Sequence, residues 1–187
     1  SPAFLAVINK TAALARSDAT VLVSGETGSG KELVARAIHY QGARRSKPFI
    51  PVNCGALPDH LFENELFGHN KGAFTDASSA EQGLIAEAEG GTLFLDEVDT
   101  LSPSGQVKLL RFLQNGEYRP IGSSRFAIGD VRVVAATNAD LFERVKSKVF
   151  REDLYYRLNS LSLSIPPLRE RVEDVAGVWK FLGQLPD

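Results

Sequence analysis

The sequence predicts an α/β domain in which a five-stranded, mainly parallel sheet lies between helices. Three observations carry this expectation. An apolar, β-branched run, Thr20-Val21-Leu22-Val23-Ser24, leads into a glycine-rich turn and then a helical pattern with Leu33/Ala37 and Val34/Ile38 paired at i, i+4. A second apolar run, Gly91 to Leu95, ends in Asp96-Glu97, and a third, Val131 to Thr137, ends at Asn138. Strands separated by helices run parallel and bring their carboxyl ends to one edge, where such sheets bind ligands.

Taken in order, Ala3 to Arg16 has apolar residues at mixed i, i+3 and i+4 spacing, which predicts a helix packed on the core. After the first strand, turn and helix, Gly42 closes the helix, and Pro48 to Asn53 reads as a second strand with proline punctuation. His60 to Phe67 is a short helix. Gly68 to Ser79 then has no period and carries one bulky apolar residue, Phe74, so it reads as a loop with a neighbour or client for that ring. Gly83 to Ala88 resumes as a short helix, and Ser102-Pro103 is a cap and first-turn pair for the helix bearing Val107, Leu110 and Leu113. Tyr118 to Ile121 and Arg125 to Ile128, around Gly122-Ser123-Ser124, resemble an inserted hairpin. Arg151 to Leu158 is helical, and Leu161 to Ile165 alternates as a last strand before Pro166-Pro167.

Composition narrows the function classes. With 187 residues, 43% hydrophobic and 24% charged, the chain can bury one sizeable core. A net charge of −2 gives no overall basic field for nucleic acid, and Arg44-Arg45-Ser46-Lys47 reads as a solvated loop. Cys54 is the single cysteine, expected as a small buried residue in a reducing compartment. No apolar run approaches the roughly 18 residues that cross a bilayer, so a cytoplasmic protein without membrane contact is expected. The lack of any methionine suggests a piece of a longer chain.

The chemistry is concentrated in two motifs. Gly25, Glu26, Thr27, Gly28, Ser29, Gly30 and Lys31 have the G-x-x-x-x-G-K spacing of a phosphate-binding loop. Its glycines let several N–H groups converge on one anion, the following helix adds its positive end, and Lys31 adds a full charge. Glu32 stands where Ser or Thr usually offers Mg²⁺ a hydroxyl. The strand ending in Asp96-Glu97 has the form of the second nucleotide-site motif, with Asp96 for Mg²⁺ and Glu97 for a water. Together they point to hydrolysis of a nucleoside triphosphate.

GETGSGKE, Asn53-Cys54, Glu65-Leu66-Phe67-Gly68-His69, GAFTDA, GGTLFLDE, AATN and FREDLYYRLN, in that order, resemble the AAA+ domain of bacterial sigma-54-dependent transcription activators. The resemblance covers nearly the whole chain. It implies an AAA+ P-loop NTPase fold with loop and hairpin insertions, over 1–170, and the start of a truncated helical lid at 171–187. GKE is usual in that family, so Glu32 lines the site while Mg²⁺ leans on Asp96, through water, and on the phosphates of ATP. The resemblance makes Lys31 the phosphate lysine, Glu97 the water-activating residue, Asn53 the partner that switches this glutamate, and Asn138 the first sensor. For the two asparagines the plainer reading is a polar cap on a buried strand.

Arg151 and Arg157 match the pair offered to the neighbouring subunit's ATP as arginine fingers. Spacing alone leaves ion pairs with Glu152 or Asp153 as the alternative, since positions six apart on a helix lie about 120° around it. Gly72, Ala73, Phe74, Thr75, Asp76 and Ala77 correspond to the GAFTGA signature that touches sigma-54, with Asp76 in place of glycine, and the hairpin around Gly122 to the insertion that supports it. The implied machine is a ring, commonly a hexamer, that uses ATP to remodel the closed promoter complex of sigma-54 RNA polymerase and binds DNA through a domain outside this chain. Two other readings keep the ATPase residues or the nucleotide site: a remodeller of another protein client, and a nucleotide-binding scaffold uncoupled from sigma-54 by Asp76.

Overall fold

The computed structural model describes residues 1–75, 77–170 and 174. Asp76 and the expected lid segment 171–187, Asp174 apart, lie outside the described residues. Helix α1 (Pro2–Ala15) begins at Ser1, whose hydroxyl accepts from the Phe4 N–H. Strand β1 (Val21–Ser24) feeds the glycine loop and α2 (Lys31–Tyr40). Then come β2 (Phe49–Asn53), α3 (Asp59–Phe67), the two-residue strands β3 (Gly68–His69) and β4 (Glu81–Gln82), α4 (Leu84–Glu87) and β5 (Thr92–Asp96). Helix α5 (Pro103–Asn115) starts at the Ser102 cap, as its sequence predicts, and ends at Gly116 with φ 71°. The chain continues through β6 (Glu117–Tyr118), β7 (Ala127–Ile128), β8 (Arg132–Thr137), α6 (Leu141–Lys146), α7 (Glu152–Leu158) and β9 (Leu161–Ser164).

The main sheet has five strands in the order β2-β5-β8-β1-β9, all parallel, as the alternation of strands and helices predicts. Its central strand β8 is buried along its whole length, because both faces are covered. One face packs Val21, Val23, Ile38, Val134 and Leu163 with α1 and α2. The other packs Leu93, Leu95, Ala135, Leu109 and Leu154 with α3, α5 and α7. The register pairs Ser24 with Thr137 and Asn53 with Asp96, so the four strand ends that carry candidate site residues stand level at one edge.

Four local readings need correction. The segment from Gly68 is not wholly loop: Gly68 and His69 pair with Gln82 and Glu81, which ties off the base of the Phe74 loop. The inserted hairpin is shorter than expected, because Pro120 has no N–H to extend the ladder beyond Tyr118. Ile121 instead joins the first insertion, donating its N–H to Gly68 O at 2.8 Å and accepting from Asn70 N at 2.9 Å. Helix α6 has no counterpart in the expected elements, although Asp140 caps it by accepting from the Phe142 and Glu143 N–H groups. Finally, Arg44 is no solvated loop residue. It bonds Asp18 and Asp130 at 2.7 and 2.8 Å and the Asp130 carbonyl at 3.0 Å, fastening the opposite edge of the sheet.

Arg111 of α5 and Arg119 of the hairpin both lie on the hairpin's Phe126, the first joining hairpin to helix and the second bracing the hairpin internally. The guanidinium carbons of Arg111 and Arg119 lie 3.9 and 4.4 Å from the centre of the Phe126 ring.

Candidate functional site

The loop after β1 is built as an anion cradle. Gly28 and Gly30 have φ of 76° and 95°, the left-handed region that glycine enters without penalty. The Gly25 N–H is fixed by Thr137 O of the adjacent strand at 3.2 Å. Gly30 is the N-cap of α2 and brings no side chain to satisfy the first-turn N–H groups, so they are left to an external acceptor. Lys31 is nearly buried, and its ammonium donates to the Gly25 and Glu26 carbonyls at 3.0 Å each. A cation held inside a ring of backbone amides is the arrangement a polyphosphate requires. Glu32 is turned along the helix, where Arg36 holds its carboxylate at 2.7 Å; Glu26 is held by Arg169, which keeps its carboxyl below the usual carboxylate range.

The carboxylate pair stands one strand away from β2. Asp96 Oδ1 accepts the N–H of Glu97, and Glu97 itself has φ 55° and ψ 42°. A glutamate in that region is strained by about 1–2 kcal/mol. The turn is maintained by Thr100, whose N–H and hydroxyl both donate to Glu97 O, at 2.9 and 2.7 Å. The bend carries the Glu97 carboxylate over Gly55, where an added Cβ would lie 2.7 Å from Oε2. Asn53 makes the turn beneath it, its Oδ1 accepting the Gly55 N–H at 2.8 Å. Asn53 and Glu97 are thus neighbours. Burial and the charges of Asp96, Asp99 and Glu97 push the Cys54 thiol far up, so Cys54 is the inert buried residue the sequence suggests.

Asn138 reaches the loop from the other side, its Nδ2 donating to Thr27 Oγ1 at 3.1 Å. Beside it, the Thr137 hydroxyl donates to the buried Asp99 carboxylate at 2.7 Å, and Arg144 donates to the Asp99 carbonyl at 3.1 Å. A cavity of about 460 Å³ adjoins the loop there, with Gly25, Glu26, Asn138, Phe142, Tyr155 and Asn159 among its walls. Among the described residues no cluster of three or more His, Cys, Asp or Glu could hold a metal. Asp96 and the cradle still fit Mg²⁺, which usually takes one or two carboxylates and completes its shell with phosphate oxygens and water.

The arginines are not at this edge as a pair. Arg151 is the N-cap of α7, about half exposed, with its guanidinium on Asp153 at 2.7 Å, one of the two partners its spacing allowed. Arg157 donates to the carbonyls of Leu113 and Gln114, at 2.9 and 3.4 Å, and so caps the C-terminus of α5. Of the loop residues expected to touch a partner, Phe74 is 44% exposed and leans on His69, with ring centres 4.9 Å apart. Backbone bonds Gly72 N to Ala77 O and Ala77 N to Phe74 O close the turn, with Ala73 and Thr75 inside it; Asp76 lies outside the described residues.

Sequence reasoning missed Asp99, Thr137, Arg144 and Gln106. The last had a legible signal: Gln106 lies on the same helical stripe as Leu109, Leu110 and Leu113, and a polar side chain on a buried stripe must have partners.

Residues 1–164 match the family described as the sigma-54 interaction domain. Among curated proteins, the chain is 55% identical over 175 residues to the response regulator protein PilR of Pseudomonas aeruginosa, covering 94% of this chain and 39% of that one. It is 50% identical over 182 residues to the Nif-specific regulatory protein of Azotobacter vinelandii, covering 97% and 35%. The solved structure of NtrX from Brucella abortus in complex with ATP superposes with a TM-score of 0.88 at 33% identity, over 97% of this chain and 41% of that one. The chain therefore spans well under half the length of these relatives.

Proposed function

The chain belongs to the family of sigma-54 interaction domains, and from that premise and the site geometry we propose that it is the ATP-hydrolysing motor of a transcription activator, one that remodels the sigma-54 RNA polymerase closed promoter complex. The observation that carries the hydrolytic part is the strained backbone at Glu97, which holds its carboxylate over the Asn53–Gly55 turn. Strain is retained where a side chain must be aimed.

In this reading the N–H groups at the start of α2 and the Lys31 ammonium hold the phosphates, Lys31 exchanging the Gly25 and Glu26 carbonyls for phosphate oxygens. Asp96 would hold Mg²⁺, which when bound would neutralise charge on the phosphate oxygens. Glu97 accepts a proton from the attacking water. Asn53 holds the glutamate when hydrolysis is not called for, and Asn138, tied to Thr27, reports the state of the loop. Arg151 and Arg157 complete the site of the next subunit in a ring, which we read as a hexamer. Arg151 supports this more directly, because its guanidinium is surface-exposed, whereas Arg157 must leave the α5 carbonyls.

The Phe74 loop, pinned to the hairpin through Ile121, is the surface offered to sigma-54. DNA contact belongs to a domain outside this chain. Among the described residues no helix is long and apolar enough to cross a membrane, and we assign the protein to the cytoplasm.

The test is ATP turnover and sigma-54 binding, the latter with an ATP transition-state analogue, by the full-length protein. Lys31→Ala should weaken nucleotide binding, Glu97→Gln should bind ATP without hydrolysing it, and Phe74→Ala should turn over ATP but lose sigma-54. Wild-type turnover by Glu97→Gln would sink the assignment of the glutamate. Retention of sigma-54 by Phe74→Ala would sink that of the loop.

A further inference from the structure

Gln106, 2% exposed in the first turns of α5, spends its whole amide on three backbone groups. Nε2 donates to Leu101 O at 2.9 Å and to Val149 O at 3.2 Å, and Oε1 accepts the N–H of Arg151 at 2.9 Å. Two carbonyls and one N–H fix the amide's orientation. Leu101 closes the segment that begins at Glu97: the Thr100 N–H donates to Glu97 O, and the Leu101 N–H to Val98 O. One side chain therefore joins the end of the hydrolytic segment to the backbone on both sides of Phe150.

That matters because only the carbonyl of Arg151 joins the helix, accepting the Tyr155 N–H at 3.0 Å. As the N-cap of α7 it has extended φ and ψ of −73° and 133°, and its side chain makes no capping bond. Asp153 holds the guanidinium, and the backbone from which that side chain leaves is set by what holds residues 149–151. Arg144 O accepts the Val149 and Phe150 N–H groups at 3.0 Å, and Gln106 holds the Val149 carbonyl and the Arg151 N–H. We propose that Gln106 is a positioning residue for Arg151, fixing the backbone from which the guanidinium is offered to a neighbouring subunit and tying it to the Glu97 segment of its own. This rests on the reading that Arg151 acts in trans.

A buried amide that only filled the core would not act asymmetrically between subunits, and mixed rings of the full-length protein separate the two roles. Lys31→Ala subunits can donate the arginine but cannot use ATP, and Arg151→Ala subunits do the reverse. Their mixture should recover turnover. Adding Gln106→Met to the Lys31→Ala subunit is expected to lower kcat on the order of 10–100-fold with KM for ATP within about twofold, since small displacements of a catalytic group act on kcat. Adding it to the Arg151→Ala subunit is expected to change kcat by less than about twofold. A loss confined to the second arrangement would assign Gln106 to its own subunit's Glu97, and equal losses would make it purely structural; either overturns the proposal. Should Gln106→Met fail to assemble, Gln106→Glu, which keeps the acceptor for Arg151 N–H, is placed in the same two positions with the same asymmetry expected. No recovery by the parent mixture, with mixed rings shown to form, removes the trans reading itself and the proposal with it.

Discussion

Replacing Glu97 by glycine is expected to give a protein that is hydrolytically dead and more stable. Glu97 sits at φ 55° and ψ 42°, which costs a residue with a side chain about 1–2 kcal/mol and glycine almost nothing. Against that relief, the unfolded glycine chain gains freedom worth about 0.4–1 kcal/mol. The net is a stabilisation on the order of 0.5–1 kcal/mol, and the variant also removes the side chain's charge. In a domain of this size about 1 kcal/mol moves Tm by about 2–4 °C. Glu97→Gln separates the two contributions, because it removes the charge and keeps the backbone penalty. The assay is calorimetric unfolding without nucleotide, beside phosphate release. The expected order of Tm is Gly above Gln, and Gln close to wild type, with neither variant turning over ATP. A Glu97→Gly protein melting at or below Glu97→Gln would refute the argument that the backbone is strained to aim a carboxylate.

Two further outcomes follow from local geometry. Gly122 has φ 76°, and a Cβ there would lie 2.7 Å from the Ala73 Cβ and 2.9 Å from its Cα; Gly122→Val should therefore push the Phe74 loop away and cut sigma-54 binding while ATP turnover stays within about twofold, and an equal loss of both would count against a separate support role for the hairpin. His39 is buried against Thr92 Oγ1, 2.9 Å from Nδ1, and burial holds its pKa below the ordinary value near 6.5. The folded state thus favours the neutral ring, so the unfolded chain binds more protons below about pH 6.5 and stability is lost on acidification. His39→Gln should flatten the fall in urea midpoint between about pH 7.5 and about pH 5.5; an unchanged slope would assign the acid sensitivity elsewhere.

What could be read from the sequence depended on whether the cause was local. The sheet, its parallel sense and the edge that carries Lys31, Asn53, Asp96 and Asn138 follow from hydrophobic period and turn chemistry, which neighbouring residues determine. The role of Arg44 could not be read that way, since its partners Asp18 and Asp130 are brought together only by the fold. The same holds for Ile121, which leaves its hairpin to bond Gly68 and Asn70. The glycine positions of the cradle were legible, but the left-handed turn at Glu97 was not, because nothing in that residue type announces positive φ. Spacing left Glu152 or Asp153 open as partners for the arginines, and Arg151 takes Asp153; it gave no hint that Arg157 would cap α5, a contact with a distant part of the chain.

Helix α5 has the Glu97–Leu101 segment at one end and the root of the hairpin at the other, and its Arg111 lies on the hairpin's Phe126. Its thirteen residues make a strut about 20 Å long. A helix of this length bends little, so it behaves as a lever arm. Tilting it by about 5° about its Ser102 end would sweep the Gly116 end by about 1.7 Å. Because Ile121 is bonded to both sides of His69, such a sweep would reach the base of the Phe74 loop, so a tilt that barely moves the Ser102 end would displace the loop by more than an ångström.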